Sequence, residues 1–126
     1  MKLAIVGSRS LSVDVSQFVD YIPDCIITGG AIGVDRSACV YAKKNKIKLI
    51  VIKPEYNKFG KLAPIIRNSK IVDRCDSVLA IWDGHSNGTI NIVETAKRMN
   101  KPLRLFIYER TNFKIACNNE IQMSLF

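Results

Sequence analysis

The sequence predicts an α/β fold, a three-layer sandwich around a mostly parallel sheet with the expected strand order 3-2-1-4-5. Three observations lead there. Short β-prone runs alternate with segments of helical apolar spacing, polar turns follow several of those runs, and 126 residues suffice for one core but not two. A chain of this length buries about two thirds of the surface it exposes when extended. With 48% hydrophobic and 24% charged residues, its composition is that of a folded domain.

Lys2 to Val6 reads as the first strand, ended by Gly7. Val15, Phe18, Val19 and Ile22 recur at helical spacing and predict a helix that Pro23 closes. Cys25 to Thr28 reads as the second strand and leads into the Gly29 to Gly33 turn. Val34, Ala38, Tyr41 and Ala42 then share one helical face. Ile47 to Ile52 is a continuous β-branched run, as expected of a parallel strand covered on both faces. Lys53 to Gly60 reads as a polar loop.

Leu62, Ile65, Ile66, Ser69 and Val72 form a third helical stripe, with Pro64 in the opening turn, where a helix has no use for its missing N–H. Ser77 to Trp82 is the fourth strand and Asp83 to Thr89 a polar turn. Ile90, Val93, Ala96 and Met99 mark the fourth helix, and Pro102 to Tyr108 the fifth strand. One domain over residues 1–126 is expected, with 110–126 as a C-terminal extension or edge element. Phe113, Ile115, Leu125 and Phe126 give that segment apolar surface, which together with the sheet edges favours a homodimer or higher homo-oligomer.

Apolar runs such as Leu3 to Val6 fall far short of the roughly 20 residues that cross a bilayer, and Gly7-Ser8-Arg9 interrupts any secretory core. A cytoplasmic location without membrane contact is expected. The four cysteines are widely spaced with no CxxC pair, so neither a disulfide framework nor a zinc site is indicated, and no cofactor is implied. The net charge of +8 attracts polyanions, and the lysines from Lys43 to Lys61 face one acid, Glu55. Weak nonspecific nucleic-acid binding follows, with Tyr56 and Phe59 the only aromatics in that stretch.

In a parallel sheet, strand-to-helix turns emerge at one edge, where helix N-termini present free N–H groups. Gly7, Ser8 and Arg9 follow strand one, and Gly29, Gly30, Gly33 and Asp35 follow strand two. Ser86, Asn87, Gly88 and Thr89 open the fourth helix. These are residues that hold a phosphate or ribose phosphate, although they also serve as turns and caps. Arg67, with Asn68 beside it, and Arg9 are the cations suited to forking onto a phosphate. Neither a Rossmann fingerprint nor a P-loop is present.

Asp35 either balances the helix dipole or meets ligand, and Asp83 either faces ligand or makes a turn. Glu94 lies between apolar helix positions, and His85 is the single histidine. Trp82 and Tyr56 are aromatic groups to which a base can stack.

Ile5-Val6-Gly7-Ser8-Arg9, Ile27-Thr28-Gly29-Gly30-Ala31-Ile32-Gly33-Val34-Asp35, Arg67-Asn68 and Ala80-Ile81-Trp82-Asp83-Gly84 leading to Ser86-Asn87-Gly88-Thr89 together resemble the SLOG superfamily. The resemblance is to its small bacterial and phage branch, called YspA-like. It implies a Rossmann-like fold and a nucleotide or nucleotide-derived ligand at the glycine turns, bound for signalling or sequestration. The related LOG enzymes cleave nucleoside monophosphates at the N-glycosidic bond and commonly form dimers. Their helix-borne Arg corresponds to Arg67 and the Asp before the next strand to Asp76. Of their glycine-threonine motif Gly88-Thr89 remains, while Ile92 stands where the catalytic Glu is expected. On a hydrolase reading Asp83, then Glu94, are the substitute carboxylates. A DNA-processing relative adds a third reading, a single-stranded nucleic-acid-binding module.

Overall fold

The computed structural model describes residues 1–109 and 111–118. Its sheet has the order β3-β2-β1-β4-β5-β6, formed by Lys2–Gly7 (β1), Cys25–Thr28 (β2), Lys48–Val51 (β3), Ser77–Trp82 (β4), Leu103–Glu109 (β5) and Asn112–Asn118 (β6). The first five strands run parallel, and β6 returns antiparallel beside β5. The helices are Val34–Lys44 (α1), the single turn Tyr56–Phe59 (α2), Ala63–Arg74 (α3) and Asn87–Arg98 (α4). This is the expected three-layer α/β sandwich with one further strand. Among the described residues no helix is long and apolar enough to cross a membrane.

Alternation along the strands divides the core between two faces. Ala4 and Val6 pack with Ile71, Val72, Ile92 and Val93 of α3 and α4. Leu3 and Ile5 face Val34, Ala38 and Ala42 of α1. The α1 residues are small and repeat every fourth position, which brings the helix close to the sheet. Gly7 is part of that fit, because a Cβ there would overlap both the Ile81 carbonyl and Val34.

The predicted first helix does not form. Only Val15–Gln17 winds into a 3-10 turn, capped by Asp14, whose Oδ1 accepts hydrogen bonds from Ser16 N (3.1 Å) and Ser16 Oγ (2.7 Å). Val15 and Phe18 are buried, but Ile22 is 72% exposed, so the apolar spacing stops after one turn. Asp14 and Ser16 offer the backbone a competing turn, Pro23 restricts Ile22, and so short a segment gains little from helix propagation.

An aromatic cluster replaces the missing helix. Phe18 packs edge-on against Phe106 and Phe113, with ring centres 5.0 and 5.1 Å apart, and Arg104 Nη1 donates to the Phe18 carbonyl at 2.9 Å. Phe113 is thus used within its own domain. Ile115 stays 51% exposed on β6, whereas Leu125 and Phe126 lie outside the described residues. Between the 3-10 turn and α1 a groove of about 330 Å³ remains, lined by Asp14, Tyr41 and Lys44 among others.

Two further expectations are corrected. β3 lies at the sheet edge, as the expected order places it, but with Lys48 and Val51 exposed it is not covered on both faces, since β-branched composition reports strand propensity rather than burial. The Lys53 to Gly60 segment contains α2. The basic run is also divided: Lys43 and Lys44 end α1 and Lys48 begins β3 at the amino edge, while Lys53, Lys58 and Lys61 follow β3 at the carboxyl edge.

Gly33 enters α1 with φ 80° and ψ −131°, and a Cβ there would overlap the carbonyl oxygens of Ser8 and Arg9. Gly84 also has positive φ, but its Cβ direction is empty to 4 Å. Gly33→Ala is expected to lower stability by about 2–4 kcal/mol and Gly84→Ala by only about 1 kcal/mol. Urea midpoints at unchanged m-value measure both, and equal losses would show that contact with the Ser8–Arg9 backbone is not what constrains Gly33.

Candidate functional site

β1 and β4 are neighbours, yet the chain leaving β1 turns to the α1 face and the chain leaving β4 turns to the α4 face. The crevice this opens at the carboxyl edge is where open α/β sheets bind ligands. Here it is a cleft of about 140 Å³ floored by Val6, Ile71 and Ile92. Gly7 and Arg9 reach it from β1, Asp35 from α1, Arg67 and Asn68 from α3, and Ser86, Gly88 and Thr89 from α4.

Asp35 is the carboxylate that lines this cleft, and it is 5% exposed. Its Oδ1 accepts the Gly7 amide and its Oδ2 the Ala31 amide, each at 3.3 Å. One side chain thereby fastens the end of β1 and the glycine turn to the start of α1. Arg67 stands near it, donating from Nη1 to the Gly29 carbonyl (3.0 Å) and from Nε to Asn68 Oδ1 (2.9 Å). A Cβ at Gly29 would crowd both the Arg67 guanidinium and Asp35 Oδ2, so this glycine makes room for the pair rather than for ligand. Asn68 continues the network, donating from Nδ2 to Asn91 Oδ1 at 2.9 Å and so tying α3 to α4.

Ser8 is fully buried and joins three turns from beneath. Its Oγ accepts the Asp83 amide at 2.9 Å and lies 3.1 Å from Ser86 Oγ, while its carbonyl accepts the Val34 amide at 3.2 Å. Gly30 lies over Val51, and Gly33 over the Ser8–Arg9 backbone. Ser8, Gly29, Gly30 and Gly33 therefore build the cleft without lining it.

The α4 N-terminus is differently equipped. Ser86 makes no side-chain cap, since its Oγ donates to Thr89 Oγ1 at 2.7 Å. The first-turn amides of Asn87, Gly88 and Thr89 lack a side-chain acceptor from the N-cap, and a Cβ at Gly88 would meet nothing within 4 Å. Free amides, a helix dipole and two guanidinium groups meet at one crevice, and groups of this kind attract anions. Among the described residues no cluster of metal-ligating side chains occurs.

The carboxylates singled out for catalysis lie elsewhere. Asp83 is outside the cleft lining, with Oδ1 accepting the His85 and Ser86 amides (2.8 and 2.9 Å) and Oδ2 accepting Ser10 Oγ (2.6 Å). Partial burial raises its pKa, but these hydrogen bonds together outweigh that and hold it at about 2. Glu94 sits exposed on α4, away from the cleft lining. Trp82 donates its Nε1–H to the Ser86 carbonyl at 3.0 Å and braces the turn. His85 is exposed.

Asn91 and Ser10 were not evident from sequence, though a polar residue between Ile90 and Ile92 is the kind of signal an inter-helix contact leaves. No protein-family model, curated protein or solved structure matches the chain.

Burial pushes the Asp35 carboxyl above its ordinary value, against the opposing pull of the Ala31, Gly7 and Gly29 amides and of Arg67. Burial likewise lowers the pKa of Arg67. Because folding raises the Asp35 pKa, its effect on stability is lost as pH rises from the unfolded value of 3.8 through the folded value. Asp83 has the opposite sign, and its contribution is lost as pH falls from 3.8 toward about 2. A carboxyl ¹³C titration should show Asp35 above and Asp83 below the usual range, with Arg67→Ala moving Asp35 further up and leaving Asp83 in place. An Asp35 value unchanged by that substitution would mean the two groups are not coupled.

Proposed function

We propose that this chain binds a nucleotide or nucleotide-derived ligand in the cleft at the β1–β4 switch point, in the manner expected of a small SLOG domain, for signalling or sequestration. One observation carries the reading: Arg9, Arg67 and the uncapped first turn of α4 converge on a single crevice. An anionic phosphate satisfies donors that no side chain of the N-cap satisfies. The apolar floor of Val6, Ile71 and Ile92 suits the ribose carbons next to that phosphate.

Cleavage of an N-glycosidic bond is the second reading, favoured by the presence of Asp35 in the cleft. On that reading Asp35 is the acid–base group, because it lines the cleft and Asp83 and Glu94 do not. Free base released on long incubation would separate turnover from binding. A nucleic-acid track is less well supported, since the basic run is split between the two edges of the sheet.

Thermal shift against mononucleotides, ADP-ribose and cyclic nucleotides tests the binding reading. A ligand at a hundredfold excess over its Kd adds about 2.7 kcal/mol, a rise in Tm of about 10 °C for a domain of this size. Arg9 is exposed, so Arg9→Ala is expected to weaken that ligand about five- to tenfold while the unliganded Tm stays the same. A protein that ignores all of them, or an Arg9→Ala variant that binds as wild type, contradicts the proposed site.

A further inference from the structure

Tyr56 opens α2, the single helical turn between β3 and α3, and is 60% exposed. Two contacts hold α2 across α3. Lys70 Nζ bonds Glu55 Oε1 at 3.1 Å, and the same ammonium lies 5.5 Å from the centre of the Phe59 ring. Lys70 follows Arg67 by one helical turn, so α2 is anchored beside the stretch of α3 that carries the guanidinium.

Tyr56 adjoins Glu55, whose Lys70 partner lies one turn along α3 from Arg67. The chain between β3 and α2 also lies against the glycine turn, where a Cβ on Gly30 would overlap Val51 and touch the Lys53 side chain. Ala31 of that turn and Pro64 of α3 both line the cleft. Tyr56 is therefore carried, exposed, on the segment that borders the cleft and stands outside its lining.

Size decides what such an aromatic group does. The cleft, at about 140 Å³, is smaller than the ~300 Å³ at which pockets for whole small molecules begin. A phosphate held by Arg67 and the α4 amides leaves the far part of a nucleotide outside the cleft. We propose that Tyr56 is the stacking platform for the base of that nucleotide, so that the base is held on an open rim rather than enclosed. This rests on the nucleotide reading of the cleft. Stacking on one exposed ring supplies affinity with little choice among bases, because every base has a π-face.

Calorimetry with the four nucleoside 5′-monophosphates and with ribose 5-phosphate tests it on the wild-type chain, Tyr56→Ala and Tyr56→Phe. Wild type should bind the nucleotides about tenfold tighter than ribose 5-phosphate, with a narrow spread among bases. Tyr56→Ala should remove that margin without weakening ribose 5-phosphate, and Tyr56→Phe should keep it. Ribose 5-phosphate binding as tightly as the nucleotides, or a margin that survives Tyr56→Ala, overturns the role of Tyr56 and leaves the cleft reading standing. Failure of wild type to bind any of the five overturns the role of Tyr56, and failure with ADP-ribose and cyclic nucleotides as well overturns the cleft reading.

Discussion

A carboxylate that is 5% exposed has to recover from the protein what it loses from water, and the way Asp35 does so fixes the geometry of the whole carboxyl edge. The amides of Gly7, at the end of β1, and Ala31, in the turn after β2, reach it, and Arg67 acts on it electrostatically from α3. Each of these partners is then constrained in turn. Gly29 has no side chain because the guanidinium occupies that space, and Arg67 is oriented by the Gly29 carbonyl and by Asn68. Asn68 passes the constraint to α4 through Asn91. The walls of the cleft are thus positioned by one chain of polar contacts running α1, turn, α3, α4.

That network also separates scaffold from donor. Ser8 and most of the glycines are consumed in holding turns together, whereas the first turn of α4 and part of each guanidinium remain free to face the crevice. A helix N-terminus is attractive to anions in any protein. Here it acquires direction because the topology opens a crevice in front of it and two arginines point at the same place. Asp35 behind them limits the positive charge of the crevice.

The strand sequence, the switch point and the positions of Gly7, Arg9, Arg67 and Thr89 were legible in the sequence because each is encoded locally, by period, by β-branching or by a break in an apolar run. Three features were not. The helix after β1 failed because Asp14 and Ser16 hydrogen-bond to one another's neighbourhood, a local competition that apolar spacing does not register. The β-branched composition of β3 reads as a strand covered on both faces, yet its place at the edge of the expected order leaves Lys48 and Val51 exposed. Asp83 reads as a ligand-facing carboxylate by its position after β4. Its occupation by Ser10, His85 and Ser86 depends on the turn after β1 lying alongside, which is a tertiary fact. Asp35, open in sequence between balancing the helix dipole and meeting ligand, lines the cleft in the fold.

The most direct test is an amide and arginine side-chain NMR titration with a nucleoside monophosphate. The account predicts that the largest shifts fall on the Asn87, Gly88 and Thr89 amides and on the Arg67 Nε–H, with the groove between the 3-10 turn and α1, near Asp14, Tyr41 and Lys44, unaffected. Shifts concentrated in that groove, or none at the α4 N-terminus at saturating nucleotide, would contradict it.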